Sequence, residues 1–171
     1  MGNYINEAFA QLDFALRLYH HVDVGKIDPE EFNAPLTYKD PGMVFVCSEA
    51  YFDTMENLRV AVWNNVGISF GAAAITLNRV REEKEHKLPN PIATEADQLI
   101  SLVYQIRNAF AHDISEPTWK INERYRREYV IGEIKAELSD LDGCRFEFSH
   151  VGGPGVLKEL YEYGRQKLGL F

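Results

Sequence analysis

Thr94 to His112, TEADQLISLVYQIRNAFAH, decides the fold, because one segment holds a helix start, a buried stripe and a chemically loaded end. Thr94 with Asp97 three residues on makes a capping box, the threonine taking a free amide of the first turn and the aspartate standing at the positive end of the dipole. Leu99, Leu102, Val103, Ile106 and Phe110 follow at the spacing of one buried helical face. The helix is expected to stop near Asp113, since Ser115-Glu116-Pro117 cannot continue it. Asn108 and His112 then lie a turn apart on the far side, near Ser101, Tyr104 and Gln105, with Arg107 on the flank. That polar side is expected to face away from its own core and to suit contact with a second subunit.

Working outward, Ile5, Phe9, Leu12, Leu16 and Tyr19 predict a first helix capped by Asn3 and followed by a loop from Asp23 to Pro41. Met55, Leu58, Val62, Val66, Phe70, Ala73, Leu77 and Val80 predict a second helix from Tyr51 to Glu85, roughly 50 Å long. Gly67 and Gly71, with Ala72 to Ala74 beside them, mark where a neighbouring helix crosses closely. On the same helix, the amides of Asn64 and Asn65 are candidates to face the polar end of the third helix.

Beyond Pro117 the period changes. Trp119 and Ile121, Tyr129 and Ile131, then Cys144, Phe146 and Phe148 alternate with polar residues, and Asp142-Gly143 is a hairpin turn signal. A small β-meander is expected there, although Ile134, Leu138 and Leu141 also suit a helical stripe. Gly152-Gly153-Pro154-Gly155 breaks the chain before a last helix marked by Leu157, Leu160, Tyr161 and Leu168. The expected fold is mainly α over residues 1–117, with residues 118–171 adding a small β-meander and a C-terminal helix packed on the helices, not an independent domain.

Composition sets the class. A chain of 171 residues with 46% apolar content can bury one core, and one main domain is expected. No stretch reaches 18 uninterrupted apolar residues and no secretory signal opens the chain, which points to a cytoplasmic protein outside the membrane. Cys47 and Cys144 show no metal spacing and read as buried, reduced thiols. His20 and His21 suit the end of the first helix, and His86 sits in a solvated charge run. Paired histidine and glutamate ligands at metal spacing are lacking, so neither a metal nor another cofactor is expected.

Arg107, Asn108 and His112 are the candidate catalytic residues. A neutral imidazole can take a proton from a ribose hydroxyl near pH 7 or return one to a leaving oxygen. A guanidinium matches phosphate oxygens as charge builds on them, and an amide can orient the phosphate or the imidazole. Together they have the means to cleave RNA without a metal. By spacing alone the plainer reading is that Arg107 and His112 neutralise the helix dipole and bond its last carbonyls.

The run Arg107, Asn108, a short apolar spacer and His112 resembles the signature of HEPN domains: Arg, four to six residues, His, on the third long helix of a bundle. Ile106 to Asp113, with Pro117 and Trp119 beyond, is similar to a bacterial and plasmid-borne subgroup, and the likeness covers about residues 1–120. It implies an up-and-down bundle of four or five helices over residues 1–117 that dimerises so that two motifs share one composite site. In catalytic members such a site cuts RNA without metal and leaves a cyclic phosphate, which gives His112 the role of acid or base, Arg107 that of phosphate clamp and Asn108 that of orienter. It further implies a defence or toxin–antitoxin setting, with an antitoxin or a nucleotidyltransferase as partner. Other members only bind a nucleotide, RNA or a protein.

A net charge of -8 opposes general affinity for a polyanion, so any RNA contact has to be local. Lys120, Arg124, Arg126, Arg127 and Tyr104 are the candidate RNA-binding residues, with Tyr125 and Tyr129 interleaved as candidate stacking surfaces.

Overall fold

A computed structural model describes residues 4–34, 36–40, 43–47 and 52–171 of the protein. It is mainly helical: α1 (Tyr4–Asp23), α2 (Pro29–Asn33), α3 (Met55–Glu83), α4 (Glu95–Phe110) and α5 (Val156–Tyr163). Two antiparallel hairpins accompany them, β1 (Leu36–Asp40) with β2 (Met43–Cys47), and β3 (Glu128–Ile131) with β4 (Ile134–Glu137). The chain forms two compact units, residues 1–12 with 67–171, and residues 13–66.

In the unit of residues 13–66, Val22, Leu58 and Val62 are buried, with Leu18, Tyr19, Ile27, Phe52 and Met55 packed against them. The expected loop from Asp23 to Pro41 instead holds α2 and β1, and β1 pairs with β2 beyond it. Asp28 caps α2 by accepting the Glu30 N–H at 3.0 Å, and Pro29 fits the first helical position. Asn33 then joins Phe52 twice, donating Nδ2 to its carbonyl at 2.7 Å and accepting its N–H at 2.9 Å. The α3 start moves to Met55 because Thr54 caps it, its hydroxyl accepting the Asn57 N–H at 3.2 Å. The proposed cap Asn3, the expected helix start Tyr51 and the loop end Pro41 lie outside the described residues, as does the Cys47 side chain.

In the other unit, α4 is the central element. Its capping box forms as expected, with Asp97 accepting the Thr94 N–H at 2.8 Å and the Thr94 hydroxyl accepting the Asp97 N–H at 3.1 Å. Those bonds, led by the Thr94 N–H, hold the Asp97 carboxyl below the usual carboxylate range. Beneath the far end of α4 lies an aromatic cluster: Phe110 and Phe146 rings are 4.8 Å apart, Phe70 and Phe110 5.5 Å, Trp119 and Phe146 5.2 Å. Gly71 is the point of close crossing, since a Cβ there would stand 2.6 Å from Phe110. Gly67 has nothing within 4 Å of that position, so only one of the two glycines serves a crossing.

The strands after Pro117 differ from the expected meander. The ladder is β3–β4 alone, turned by Gly132 at φ 58°, which settles 134–137 as strand rather than helix. Trp119 and Cys144 belong to a short pairing centred on the single bridge Thr118↔Arg145, and Phe148 opens a 3-10 turn. Asp142-Gly143 forms the expected turn, with the Cys144 N–H on the Leu141 carbonyl at 2.9 Å and Gly143 at φ 80°, but among the described residues it joins no paired strands; the Asp142 carboxylate accepts the Ile121 N–H at 2.8 Å and pairs with Arg126 at 2.6 Å. Cys144 is exposed rather than buried. His86 is half-buried and its Nε2 lies 2.8 Å from the Leu170 carbonyl, so it ties the C-terminal segment instead of standing in solvent. By length and composition α3 is apolar enough to cross a membrane, and Val66, Phe70, Ala73, Ala74, Leu77 and Val80 along it are buried within the protein.

Candidate functional site

The motif helix ends at Phe110 with Ala111 as its cap, three residues before the expected Asp113. Two local preferences stop it. Asp113 accepts the N–H groups of Ser115 at 2.8 Å and Glu116 at 3.0 Å, a turn that competes with continued helix and lowers the Asp113 pKa. Thr118 donates its N–H to the Ala109 carbonyl at 3.1 Å, closing the helix end with chain from beyond the turn.

His112 therefore stands outside the helix, exposed, while Arg107 and Asn108 are half-buried on its last turn. Arg107 donates Nη1 to Asn108 Oδ1 at 3.1 Å. A guanidinium has only donors, so this bond turns the amide oxygen toward Arg107, and the NH₂ group has no hydrogen bond among the described residues. The remaining N–H groups of Arg107 and the NH₂ of Asn108 then form one cluster of donors, suited to an anion with several oxygens. Six arginines pair with carboxylates, whereas Arg107 has no ion pair among the described residues. The plainer role of bonding the last carbonyls is not what Arg107 does: the Ala109 carbonyl takes Thr118, the Asn108 carbonyl takes Ala111, and the guanidinium goes to a side chain.

The polar side of α4 is mostly covered by its own chain, against expectation. Ser101 and Gln105 are buried, and Gln98 near them accepts the Val130 N–H of β3 at 2.8 Å. β3 folds over that side because Glu95 also accepts the Gly132 N–H, at 2.6 Å. What stays accessible is a narrow strip of Tyr104, Arg107, Asn108 and Ala111, one turn apart in succession.

The expected RNA-binding cations separate. Arg126 is neutralised by Asp142, and Arg127 donates to the carbonyls of Ile92 at 2.9 Å and Glu128 at 3.4 Å, so both serve the fold. Lys120 is exposed. Arg124 lies over the Tyr125 ring at 4.5 Å, and Tyr125 in turn packs on Tyr104 with centroids 5.8 Å apart, which links Arg124 to the motif strip. Tyr125 and Tyr129 are fully buried and offer no stacking surface; burial pushes the Tyr129 phenol well above its usual pKa. Asn64 and Asn65 belong to the unit of residues 13–66.

Arg145 is a residue that spacing does not reveal. Its backbone pairs with Thr118, which is itself bonded to Ala109 of the motif, so a third exposed cation stands close in the chain's pairing to the motif end. The only signal in the sequence is that Trp119 and Phe146 both need a core, which puts Thr118 and Arg145 on the opposite face. Among the described residues no group of three His, Cys, Asp or Glu side chains is placed to hold a metal ion. Comparison of the chain with protein-family models, curated proteins and solved structures finds no match.

Proposed function

We propose that the protein is a HEPN-type, metal-independent endoribonuclease that acts as a homodimer, with Arg107, Asn108 and His112 of two copies forming one composite site. The observation that carries this reading is the Arg107–Asn108 pair at 3.1 Å: a donor cluster on an accessible strip, with no carboxylate neutralising Arg107 among the described residues. One His112 takes the proton of a ribose 2'-hydroxyl, and the 2'-oxygen attacks the adjacent phosphorus. The bond from phosphorus to the 5'-oxygen breaks as a 2',3'-cyclic phosphate forms. The second copy's His112, in its protonated form, gives a proton to the departing 5'-oxygen and becomes neutral. Arg107 and Asn108 stabilise the charge that builds on the non-bridging oxygens, the step at which fixed donors are worth most. A toxin or defence role in the cytoplasm, restrained by an antitoxin or a nucleotidyltransferase, fits such an activity.

A second reading rests on His112. It lies beyond the helix, exposed, and none of the hydrogen bonds of the described residues orients its ring. A module that binds RNA or a nucleotide through Arg107 and Asn108, without turnover, needs no oriented imidazole. Incubation with labelled single-stranded and transfer RNA in excess EDTA, beside His112→Ala, separates the two. Cleavage that survives EDTA, leaves cyclic phosphate ends and is lost in the variant supports the nuclease. Equal background from both proteins sinks it and leaves binding.

A further inference from the structure

Tyr104 is the one aromatic side chain of the motif strip, and its surroundings make it a platform. It lies on the α4 turn just before Arg107 and Asn108, three and four positions ahead of them, which brings its Cβ within about 5–6 Å of theirs. Its ring packs on one side against Tyr125, centroids 5.8 Å apart at 46°, and Tyr125 is fully buried. The Arg124 guanidinium covers Tyr125 at 4.5 Å and donates to its hydroxyl, fixing that backing wall in place. Tyr104 itself is half-buried, so it is held from behind while part of it stays accessible.

A nucleotide has the matching layout. Its base is flat and apolar on its faces, and its phosphate sits a short sugar away, a separation on the scale of one helical turn. An aromatic ring one turn ahead of a donor cluster can stack the base while the cluster holds the phosphate. A paired base in an A-form duplex has both faces already stacked and cannot use such a ring. Resting on the nuclease reading, we infer that Tyr104 stacks an unpaired base next to the phosphate held by Arg107 and Asn108.

The test uses the 171-residue chain carrying His112→Ala, which removes turnover, and a short RNA with one fluorescent 2-aminopurine. Stacking on tyrosine quenches that base. The expected result is quenching on binding, at least ten-fold weaker binding of the matching duplex, and unchanged behaviour in Tyr104→Phe. Tyr104→Ala is expected to lose the quenching and to weaken single-strand binding about ten-fold, the scale of one base–aromatic stack. Arg124→Ala, which loosens the wall but leaves the strip, is expected to reduce quenching more than affinity. Binding and quenching that Tyr104→Ala leaves intact, or equal binding of duplex, would overturn this inference while leaving the nuclease reading standing. No binding of any RNA by the His112→Ala chain would overturn both.

Discussion

Gly71 of α3 and Phe110 of α4 meet so closely that a Cβ on the glycine would lie 2.6 Å from Cδ1 of the ring and 2.9 Å from Cγ1 of Ile114. Phe110 is 2% exposed and locked among Phe70 and Phe146, so the ring has nowhere to go. Gly71→Ala is therefore expected to destabilise the protein by about 1–3 kcal/mol despite alanine's better helix propensity. At Gly67, with open space around it, Gly67→Ala is expected to stabilise by up to about 1 kcal/mol. Calorimetric melting of the two variants checks the pair: midpoints moving in the same direction would contradict this packing.

Trp119 is fully buried, and its indole N–H donates to His150 Nδ1 at 3.0 Å, a nitrogen that also accepts the Glu147 N–H at 3.1 Å. Both bonds require a lone pair on Nδ1, so the ring proton of the neutral side chain sits on Nε2. His150→Ala strands a buried donor and is expected to cost about 1–3 kcal/mol. His150→Asn, whose amide oxygen falls near the place of Nδ1, is expected to keep most of that stability. Urea unfolding of both variants decides it, since equal losses would mean the acceptor is immaterial.

Tyr129 predicts an alkaline limit. Burial holds its phenol neutral and raises its pKa in the folded state, while the unfolded chain releases the proton near pH 10. The unfolded state thus binds fewer protons above about pH 10, and stability falls as pH rises from there. Tyr4 and Tyr163, raised by bonds to Glu83 and Glu95, act in the same direction. Tyr129→Phe is expected to lose the bond to the Tyr125 carbonyl, about 1 kcal/mol, yet to show a shallower decline in urea midpoint between about pH 9 and pH 11. An unchanged slope would place the limit elsewhere.

Local signals were the legible ones. The Thr94–Asp97 box, the α4 stripe and the Gly71 crossing could be read because each depends on neighbours within a turn or on side-chain volume. Asp28-Pro29 carries a readable start for α2, and the apolar Met43 to Val46 suits a strand, yet the loop expected from Asp23 to Pro41 covers α2 and β1, and no strand is expected at Met43 to Val46. The motif residues were visible as chemistry but not as geometry. Nothing local says that Thr118 will close α4 early, that Gln98 will take the Val130 N–H of β3, or that Arg126 will be spent on Asp142. Those are pairings between segments, and spacing along one helix cannot report them.

The bond from Thr118 to Ala109, and the Phe146 ring set against Phe110, have a consequence in the order of synthesis. A ribosome that has released only the first 112 residues has made every group of the motif, but neither the strand that closes its helix nor the ring that seats its last turn. A nascent chain held at that point carries Arg107, Asn108 and His112 on a frayed end. The end of α4 takes its final shape only after residues 143–146 have emerged, some thirty residues later, late in the making of the chain.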